Sequence, residues 1–254
     1  MLKPIGKQRV AEEIVQQLRS LILRGVYGIG DKLPPERKLA EDLGVNRASL
    51  REAIKSLEQM GLVKTRQGDG TRVLPFMETA GVELVSHLVT GTPDGIPNAD
   101  ILGDVLEFRR IFARDVAQLA ADRATPDDLA RLEEVAKKAD AELSPDEMLK
   151  LDFEFYVELT RIARNRVFQL LINTIRVAVF AHAGFFAQVT PSAAVQRRCH
   201  RDVITGLKTK DAERTGKAVN EYMQQAQQLL ATLLATLSTQ TSIGTSSEKA
   251  IASK

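Results

Sequence analysis

Hydrophobic side chains recur every three to four residues through most of the chain, which is the period of an amphipathic α-helix. The first such stretch runs from Arg9 to Arg24 and stops at Gly25. Beyond residue 76 the same pattern fills nearly all of the sequence, with short polar interruptions. It predicts helices over residues 77–90, 99–123, 126–142, 145–163, 166–188, 191–208 and 211–237.

The pattern changes in one short region. Residues 62–66 and 71–74 are rich in β-branched side chains, and the turn-forming run Gln67-Gly68-Asp69-Gly70 separates them. This arrangement predicts two antiparallel strands joined by a tight turn.

Two short helices are predicted immediately before this hairpin. Leu39, Ala40 and Leu43 lie at helical spacing and are followed by Gly44, which can end a helix in the left-handed conformation. Asn46 is a good N-cap for a second helix that begins at Arg47. Such a pair alone is either a helix-turn-helix or a plain structural hairpin. With the preceding helix and the following strands, the order is that of a winged helix.

The fold prediction is therefore a mainly α protein, an N-terminal winged helix-turn-helix plus a C-terminal all-α bundle of six or seven helices. We place the winged helix at residues 1–75, a linker at 76–80, the bundle at 81–237 and a disordered Ser/Thr-rich tail at 238–254. The helix expected at 166–188 is apolar on more than one face, which predicts burial. It is compatible with a ligand cavity, a subunit interface or an ordinary core.

Charge is distributed unevenly between these parts. The net charge is only +2, but residues 1–75 hold 14 Lys and Arg against 9 Asp and Glu, so the basic excess lies in the winged helix. A single cysteine, Cys199, allows neither an intrachain disulfide nor a zinc cluster. No apolar run suits a signal peptide or a membrane span, so we expect a cytoplasmic protein.

The run LPPERKLAEDLGVNRASLREAIKSLEQMGLV gives residues 8–74 a close resemblance to the DNA-binding domain of GntR-family bacterial transcription regulators. The resemblance implies operator contacts from the start of the recognition helix, the wing tip and an arginine on the helix before them: Arg37, Asn46, Arg47, Ser49, Arg51, Gln67 and Gly68. Ala48 replaces a hydroxyl residue of some relatives. Asp69 is expected to repel phosphate at the wing.

The remaining helices resemble the FCD effector domain of the FadR subfamily, so that the likeness covers roughly residues 8–235. In most FCD domains one Asp and three His hold a divalent metal beside an organic-acid effector. The matching positions here are Asp152, Tyr156, His200 and Tyr222. A neutral phenol is a poor ligand for zinc-like ions, so we expect no metal and no cofactor.

The best-known metal-free member of the FadR subfamily binds long-chain acyl-CoA, and its pattern at these positions is similar. The linker run Met77-Glu78-Thr79-Ala80-Gly81 is also similar, and Arg109 matches a pocket-facing arginine. We therefore expect effector binding at Arg109, Asp152, Tyr156, His200 and Tyr222. An enlarged pocket lined by Phe155, Tyr156, Phe180 and Tyr222 would take the acyl chain, and Arg109 would meet a phosphate or thioester oxygen.

These inferences predict a homodimeric, ligand-responsive transcription regulator that reads a pseudo-palindromic DNA operator and has no membrane association. The alternative effector is a metal ion with a carboxylate, in a regulator of sugar-acid or organic-acid catabolism. An enzyme is a second class, but the sequence holds no phosphate loop and no nucleophile-base pattern, and only Asp152 and His200 offer an acid-base pair. A third class is an architectural DNA-binding protein without an effector.

Overall fold

A computed structural model of the 254-residue chain describes residues 8–89 and 99–251, with side-chain burial given for 10–89 and 99–236. Contacts divide it into two compact units, one up to residue 98 and one from residue 99 onward. The dividing point is later than the linker expected at 76–80. The reason is that Leu84 is buried in the core of the first unit, so the chain leaves that unit only after this point.

The first unit is a helical domain with a small sheet. Its elements are α1 (Gln8–Leu23), α2 (Glu36–Asp42), α3 (Arg47–Gln59), β1 (Val63–Arg66), β2 (Gly70–Val73), α4 (Phe76–Thr79), a 3-10 turn (Val82–Leu84) and α5 (Val85–Val89). The two strands are antiparallel, with Val63 opposite Val73 and Arg66 opposite Gly70. The predicted winged helix is confirmed.

One apolar core holds this unit together. It combines the inner face of α1, represented by Leu18 and Ile22, with Leu50 and Leu57 of α3 and with Val63 of the sheet. All of these side chains are buried, so α3 is fixed on one side while its opposite side stays in solvent. Packing of this amphipathic kind stabilises a short helix that would be marginal alone.

The helix expected at 77–90 is instead three short pieces. Gly81 is extended, with φ −87° and ψ 174°, and interrupts the helical path. Just before it, Thr79 Oγ1 donates a 2.7 Å hydrogen bond to the Gly61 carbonyl oxygen. Gly61 has φ +72°, and a Cβ there would lie 2.3 Å from the Thr79 carbonyl oxygen. This close approach of two backbones fixes the segment against the end of α3 and requires glycine at residue 61.

The second unit is entirely helical in the residues that the structure describes. Its elements are α6 (Ala99–Arg123), α7 (Pro126–Lys137), a 3-10 turn (Lys138–Asp140), α8 (Pro145–Ile162), α9 (Arg166–Phe180), α10 (Ala183–Gln188), α11 (Ala193–Thr209) and α12 (Ala212–Ile251). Thr125 and Ser144 form capping boxes at the starts of α7 and α8. The predicted helices are confirmed, apart from the splitting of 166–188 into α9 and α10.

Two further differences from expectation concern α9 and α12. The helix α12 continues to Ile251, whereas the sequence predicts a disordered tail from residue 238. The outer face of α9 is open, and Leu170 is 68% exposed, although the all-round apolar pattern predicts burial. Among the described residues, no helix is both long enough and apolar enough to cross a lipid bilayer.

A buried carboxylate joins three elements of this unit. Asp128, 1% exposed, accepts hydrogen bonds from Arg131, from Arg161 on α8 and from Arg164 in the turn that follows α8. Arg164 has a left-handed backbone, with φ +48°, which places its guanidinium toward this carboxylate and the Arg123 carbonyl oxygen. The cluster fastens the start of α7 to the ends of α6 and α8.

Candidate DNA-binding surface and effector site

The start of α3 is an exposed, basic helix terminus. Asn46 Oδ1 accepts a 2.9 Å hydrogen bond from the Ser49 backbone nitrogen, which caps the helix as the sequence predicts. Ser49 is buried at 9% exposure, so its hydroxyl is less accessible than the sequence suggests. Arg47 lies exposed in the first turn, where free backbone N–H groups also favour an anion.

Two other predicted arginines stand in solvent on the same pair of helices. Arg51 Nε donates a 2.8 Å hydrogen bond to Glu36 Oε2, and this contact orients the guanidinium beside the start of α2. Arg37 is 3.7 Å from Glu41 and its side chain is 75% exposed. Exposed ion pairs of this kind are weak, so both arginines remain available to phosphate.

The wing tip is exposed and sharply turned. Gln67 and Gly68 are in solvent, and Gly68 has φ +81°, a conformation that favours glycine. Asp69 does not present a free negative charge, because Arg72 lies 2.8 Å and Lys32 2.5 Å from its carboxylate. These hydrogen bonds hold the pKa of Asp69 well below its usual range. The repulsion expected from Asp69 is therefore offset by two cations that the sequence reasoning did not single out.

In the second unit, four of the five predicted effector residues lie together in the core. Arg109 of α6 forms an ion pair with Asp152 of α8, and both side chains are buried. The Arg109 guanidinium also lies 5.5 Å from the centre of the Phe153 ring and 5.6 Å from that of Tyr156. Tyr222 of α12 completes the group, its ring centre 6.5 Å from that of Tyr156.

The polar atoms of this group are incompletely paired. Asp152 Oδ1 and Tyr222 OH are buried with no hydrogen-bond partner among the described residues. Burial raises the pKa of both Tyr156 and Tyr222 well above the ordinary value, and the nearby Asp152 carboxylate adds to the effect. Both phenols are thus neutral at pH 7. Within the described residues, no group of three His, Cys, Asp or Glu side chains could hold a metal ion.

The fifth residue, His200, has different surroundings. Its ring stacks on Phe155 with the ring centres 3.8 Å apart, and burial lowers its pKa to about 4. His200 Nδ1 has no hydrogen-bond partner in the described structure. The histidine also lines an outer groove between α7 and α11.

The cavity beside Arg109 is smaller than expected, and of the four expected wall residues only Tyr156 lines it. It has room for about one water molecule and lies between apolar side chains that include Phe112, Phe153 and Ile172. Phe155 is fully buried in the core, and Phe180 packs edge-on against Phe153. The enlarged pocket expected from Phe155, Tyr156, Phe180 and Tyr222 is absent from the described conformation, because these rings pack in the core.

Comparison with known proteins identifies both units. The family described as "Bacterial regulatory proteins, gntR family" matches residues 10–73, and the FCD domain matches residues 104–225. Mce2R, an HTH-type transcriptional regulator of Mycobacterium tuberculosis, is 30% identical over 92% of this chain and 96% of its own length. The chain belongs to the GntR family.

Other relatives agree with this assignment. The Uxu operon transcriptional regulator of Escherichia coli is 26% identical over 91% of this GntR-family chain and 90% of its own length. The solved structure of Lar from Listeria monocytogenes has a TM-score of 0.56 and 18% identity, and the alignment covers 92% of this chain and 99% of that one, so the two share a fold. This GntR-family protein is therefore a transcription regulator, with a helix-turn-helix that implies DNA binding and an FCD domain that implies a small-molecule effector.

Proposed function

We propose that this GntR-family regulator binds a pseudo-palindromic DNA operator as a homodimer and releases it when a long-chain fatty acyl-CoA enters the FCD domain. The observation that carries the effector class is the buried cavity beside Arg109, which has apolar walls and a single guanidinium. The apolar side chains suit an alkyl chain, and the Arg109 guanidinium suits a phosphate or thioester oxygen.

The operator contacts in this proposal come from the exposed start of α3 and the wing. Arg47 and Arg51 supply groove and phosphate contacts, and Arg37 contacts phosphate. Gln67 and Gly68 enter the adjoining groove at the wing tip. Asn46 and Ser49 act mainly by building the helix terminus, since the side chain of Asn46 caps the helix and Ser49 is buried.

The homodimer is supported by an unpartnered apolar face in the second unit. Val167, Leu170 and Val177 lie on the outer side of α9 and are each more than 60% exposed. Monomeric soluble proteins seldom expose a contiguous apolar stripe of this kind to water. A second copy is the partner that a two-fold operator requires.

The charged residues beside the exposed apolar faces also support a second copy as the partner. Phe108 and Ile111 are exposed on α6, beside the acidic side chains Asp104 and Glu107. The exposed cations next to the α9 stripe are Arg166 and Arg176. In a two-fold arrangement, α9 of each copy would lie on α6 of the other, and opposite charges would meet twice.

The acyl chain requires the cavity to open. The Phe112 and Phe168 rings meet edge-on, with centres 5.3 Å apart, and close the space between α6 and α9. Displacement of α9 would enlarge the cavity and move the face proposed to hold the second copy. An effector acts only if it binds the two states with different affinity, so operator-free protein must bind acyl-CoA more tightly.

A metal-and-carboxylate effector is the second candidate. Its support is Asp152 Oδ1, which has no hydrogen-bond partner in the described residues, together with the likeness to the Uxu operon regulator. Arg109, Asp152, Tyr156 and Tyr222 would serve either effector, whereas His200 lines the outer groove between α7 and α11.

One experiment separates these candidates. A DNA duplex selected from random sequence by the protein itself is titrated with the full chain, without additions, with oleoyl-CoA, and with zinc plus citrate. Release by oleoyl-CoA alone is the expected result. Release only by zinc plus citrate would replace the acyl-CoA proposal with the second candidate, and binding that no addition changes would favour an architectural protein.

A further inference from the structure

An open groove lies between α7 and α11, on the outside of the second unit. Its volume is about 650 Å³, and it is open to solvent. Five basic and two acidic side chains line it: Lys137, Arg197, Arg198, Arg201 and Lys208, with Glu133 and Asp140. This basic excess contrasts with the second part of the sequence as a whole, in which acidic residues outnumber basic ones.

Some of these cations have carboxylate partners. Lys208 Nζ lies 2.6 Å from Glu133 Oε1 across the groove, and Lys137 Nζ lies 2.5 Å from Glu134 Oε1. Within each of these exposed pairs, the carboxylate offsets the positive charge of the lysine.

Arg197 and Arg201 are different. Arg197 Nη1 donates a 2.9 Å hydrogen bond to the Ala139 carbonyl oxygen, which holds the side chain across the groove. Neither guanidinium has a carboxylate partner in the part of the chain that the structure describes. Residues four apart on a helix are neighbours, so the two like charges of Arg197 and Arg201 destabilise α11 slightly. An anion between the two guanidiniums would reverse that effect.

His200 adds a polar group on the same side of α11. It is three residues from Arg197 and next to Arg201, and all three line the groove. The His200 side chain is 3% exposed and its Nδ1 has no hydrogen-bond partner among the described residues. The ring is therefore part of the groove wall, and the contacts to a ligand in the open groove come from the two exposed arginines.

We propose that this groove binds a phosphate-bearing small ligand, with Arg197 and Arg201 holding the phosphate oxygens and the His200 ring forming part of the groove wall. Guanidinium groups match the geometry of phosphate, and the groove has the size of a nucleotide-binding cleft. The site goes beyond the proposed operator and acyl-chain contacts, and only its coenzyme A alternative rests on the proposed function. Its ligand is either a free phosphorylated metabolite or the nucleotide end of a coenzyme A thioester.

Isothermal titration calorimetry of the full chain tests the site, with inorganic pyrophosphate and unacylated coenzyme A as probes in 150 mM salt, about the physiological ionic strength. The test variant is Arg197→Gln/Arg201→Gln. The control is Arg214→Gln/Lys217→Gln, which removes two exposed charges from α12 outside the groove. We expect pyrophosphate binding to weaken at least tenfold in the test variant and to stay within twofold in the control.

The two probes distinguish the sources of phosphate. Tighter binding of coenzyme A than of pyrophosphate indicates the nucleotide end of a thioester, and the reverse order indicates a smaller phosphorylated ligand. The site is ruled out if the wild-type protein binds neither probe, or if both double variants lose binding equally. Circular dichroism melting of each variant confirms that the fold is intact.

Discussion

The Arg109 guanidinium and the Asp152 carboxylate form an ion pair in the core of the FCD domain, and one oxygen of that carboxylate has no other hydrogen-bond partner among the described residues. Removing one member of a buried pair leaves the other charge unpaired in a low-dielectric interior. Each of the two buried charges is therefore stabilised by the other. It also leaves Asp152 able to accept a hydrogen bond from a ligand.

The first prediction concerns this pair. Asp152→Ala should lower the free energy of unfolding by about 3 to 5 kcal/mol, because it strands the Arg109 charge. The double variant Arg109→Met/Asp152→Leu should recover most of that loss, because no charge remains buried. Urea denaturation followed by circular dichroism measures both values. A double variant as unstable as the single one would show that the pair is not the source of the effect.

The same double variant also tests the effector proposal. If Arg109 meets the thioester or a phosphate, the folded double variant should bind the operator normally and should no longer release it with oleoyl-CoA. Retained release with normal affinity would remove Arg109 from the proposed effector contacts.

The second prediction concerns pH and Asp128. Burial by itself raises the pKa of this carboxyl, but hydrogen bonds from Thr125, Arg164 and Arg161 outweigh burial and hold the pKa well below its usual range. A depressed pKa in the folded state means that the carboxylate stabilises the fold above the unfolded-state pKa, near 4, and that this contribution is lost as the pH falls further. Asp128→Asn should destabilise the domain at pH 7 by about 2 to 3 kcal/mol.

The difference between the wild type and Asp128→Asn should narrow as the pH falls from 5 toward 2, because the unfolded wild-type chain takes up a proton at Asp128 in that range while the folded protein keeps the carboxylate ionised. Thermal unfolding at several pH values measures it. Glu142→Gln, an exposed carboxyl change in the same unit, is the control. A stability difference between the wild type and Asp128→Asn that stays constant with pH would contradict the electrostatic explanation.

The third prediction concerns operator recognition. Arg47→Ala should weaken operator binding by about tenfold to a hundredfold, the value of one good base or phosphate contact, and should leave stability unchanged because the side chain is exposed. Lys55→Ala, exposed two turns further along α3, is the matched control and should have a smaller effect. Fluorescence anisotropy with the selected duplex measures both affinities. Equal losses in the two variants would mean that only general positive charge matters.

The sequence predicted the winged helix and most helix starts, because caps, glycines and periodicity are local signals. Asn46, Thr125 and Ser144 act at their predicted helix starts for this reason. The pairing of Asp69 with Lys32 was beyond such reasoning, because the two residues are brought together only by the folded wing. The small cavity is a similar case, since periodicity identifies the side chains of a core but does not reveal how tightly they pack.

The open face of α9 is the difference with the largest functional consequence. Its apolar pattern predicted burial, and the described structure buries only the side that carries Ile172 and Val179. The apolar pattern of a sequence reflects burial in the functional assembly, including burial between copies of the chain. The excess of apolar residues on α9 is explained if a second copy covers the remainder.

The fourth prediction follows from that face. Leu170→Asp places a charge in the middle of the stripe, 68% exposed in the described chain, so it should leave the fold of each copy intact and convert a dimer to a monomer. Light scattering after size-exclusion chromatography measures the mass, and Leu229→Asp, at an exposed apolar position on α12, is the control. The monomeric variant should bind a single operator half-site as well as the wild type does, but should lose most of its affinity for the full palindrome, because the second contact is no longer intramolecular. If Leu170→Asp stays dimeric, the interface lies elsewhere on the chain. If the wild type is itself monomeric, the homodimer is removed from the proposed function, and DNA binding through α3 is unaffected.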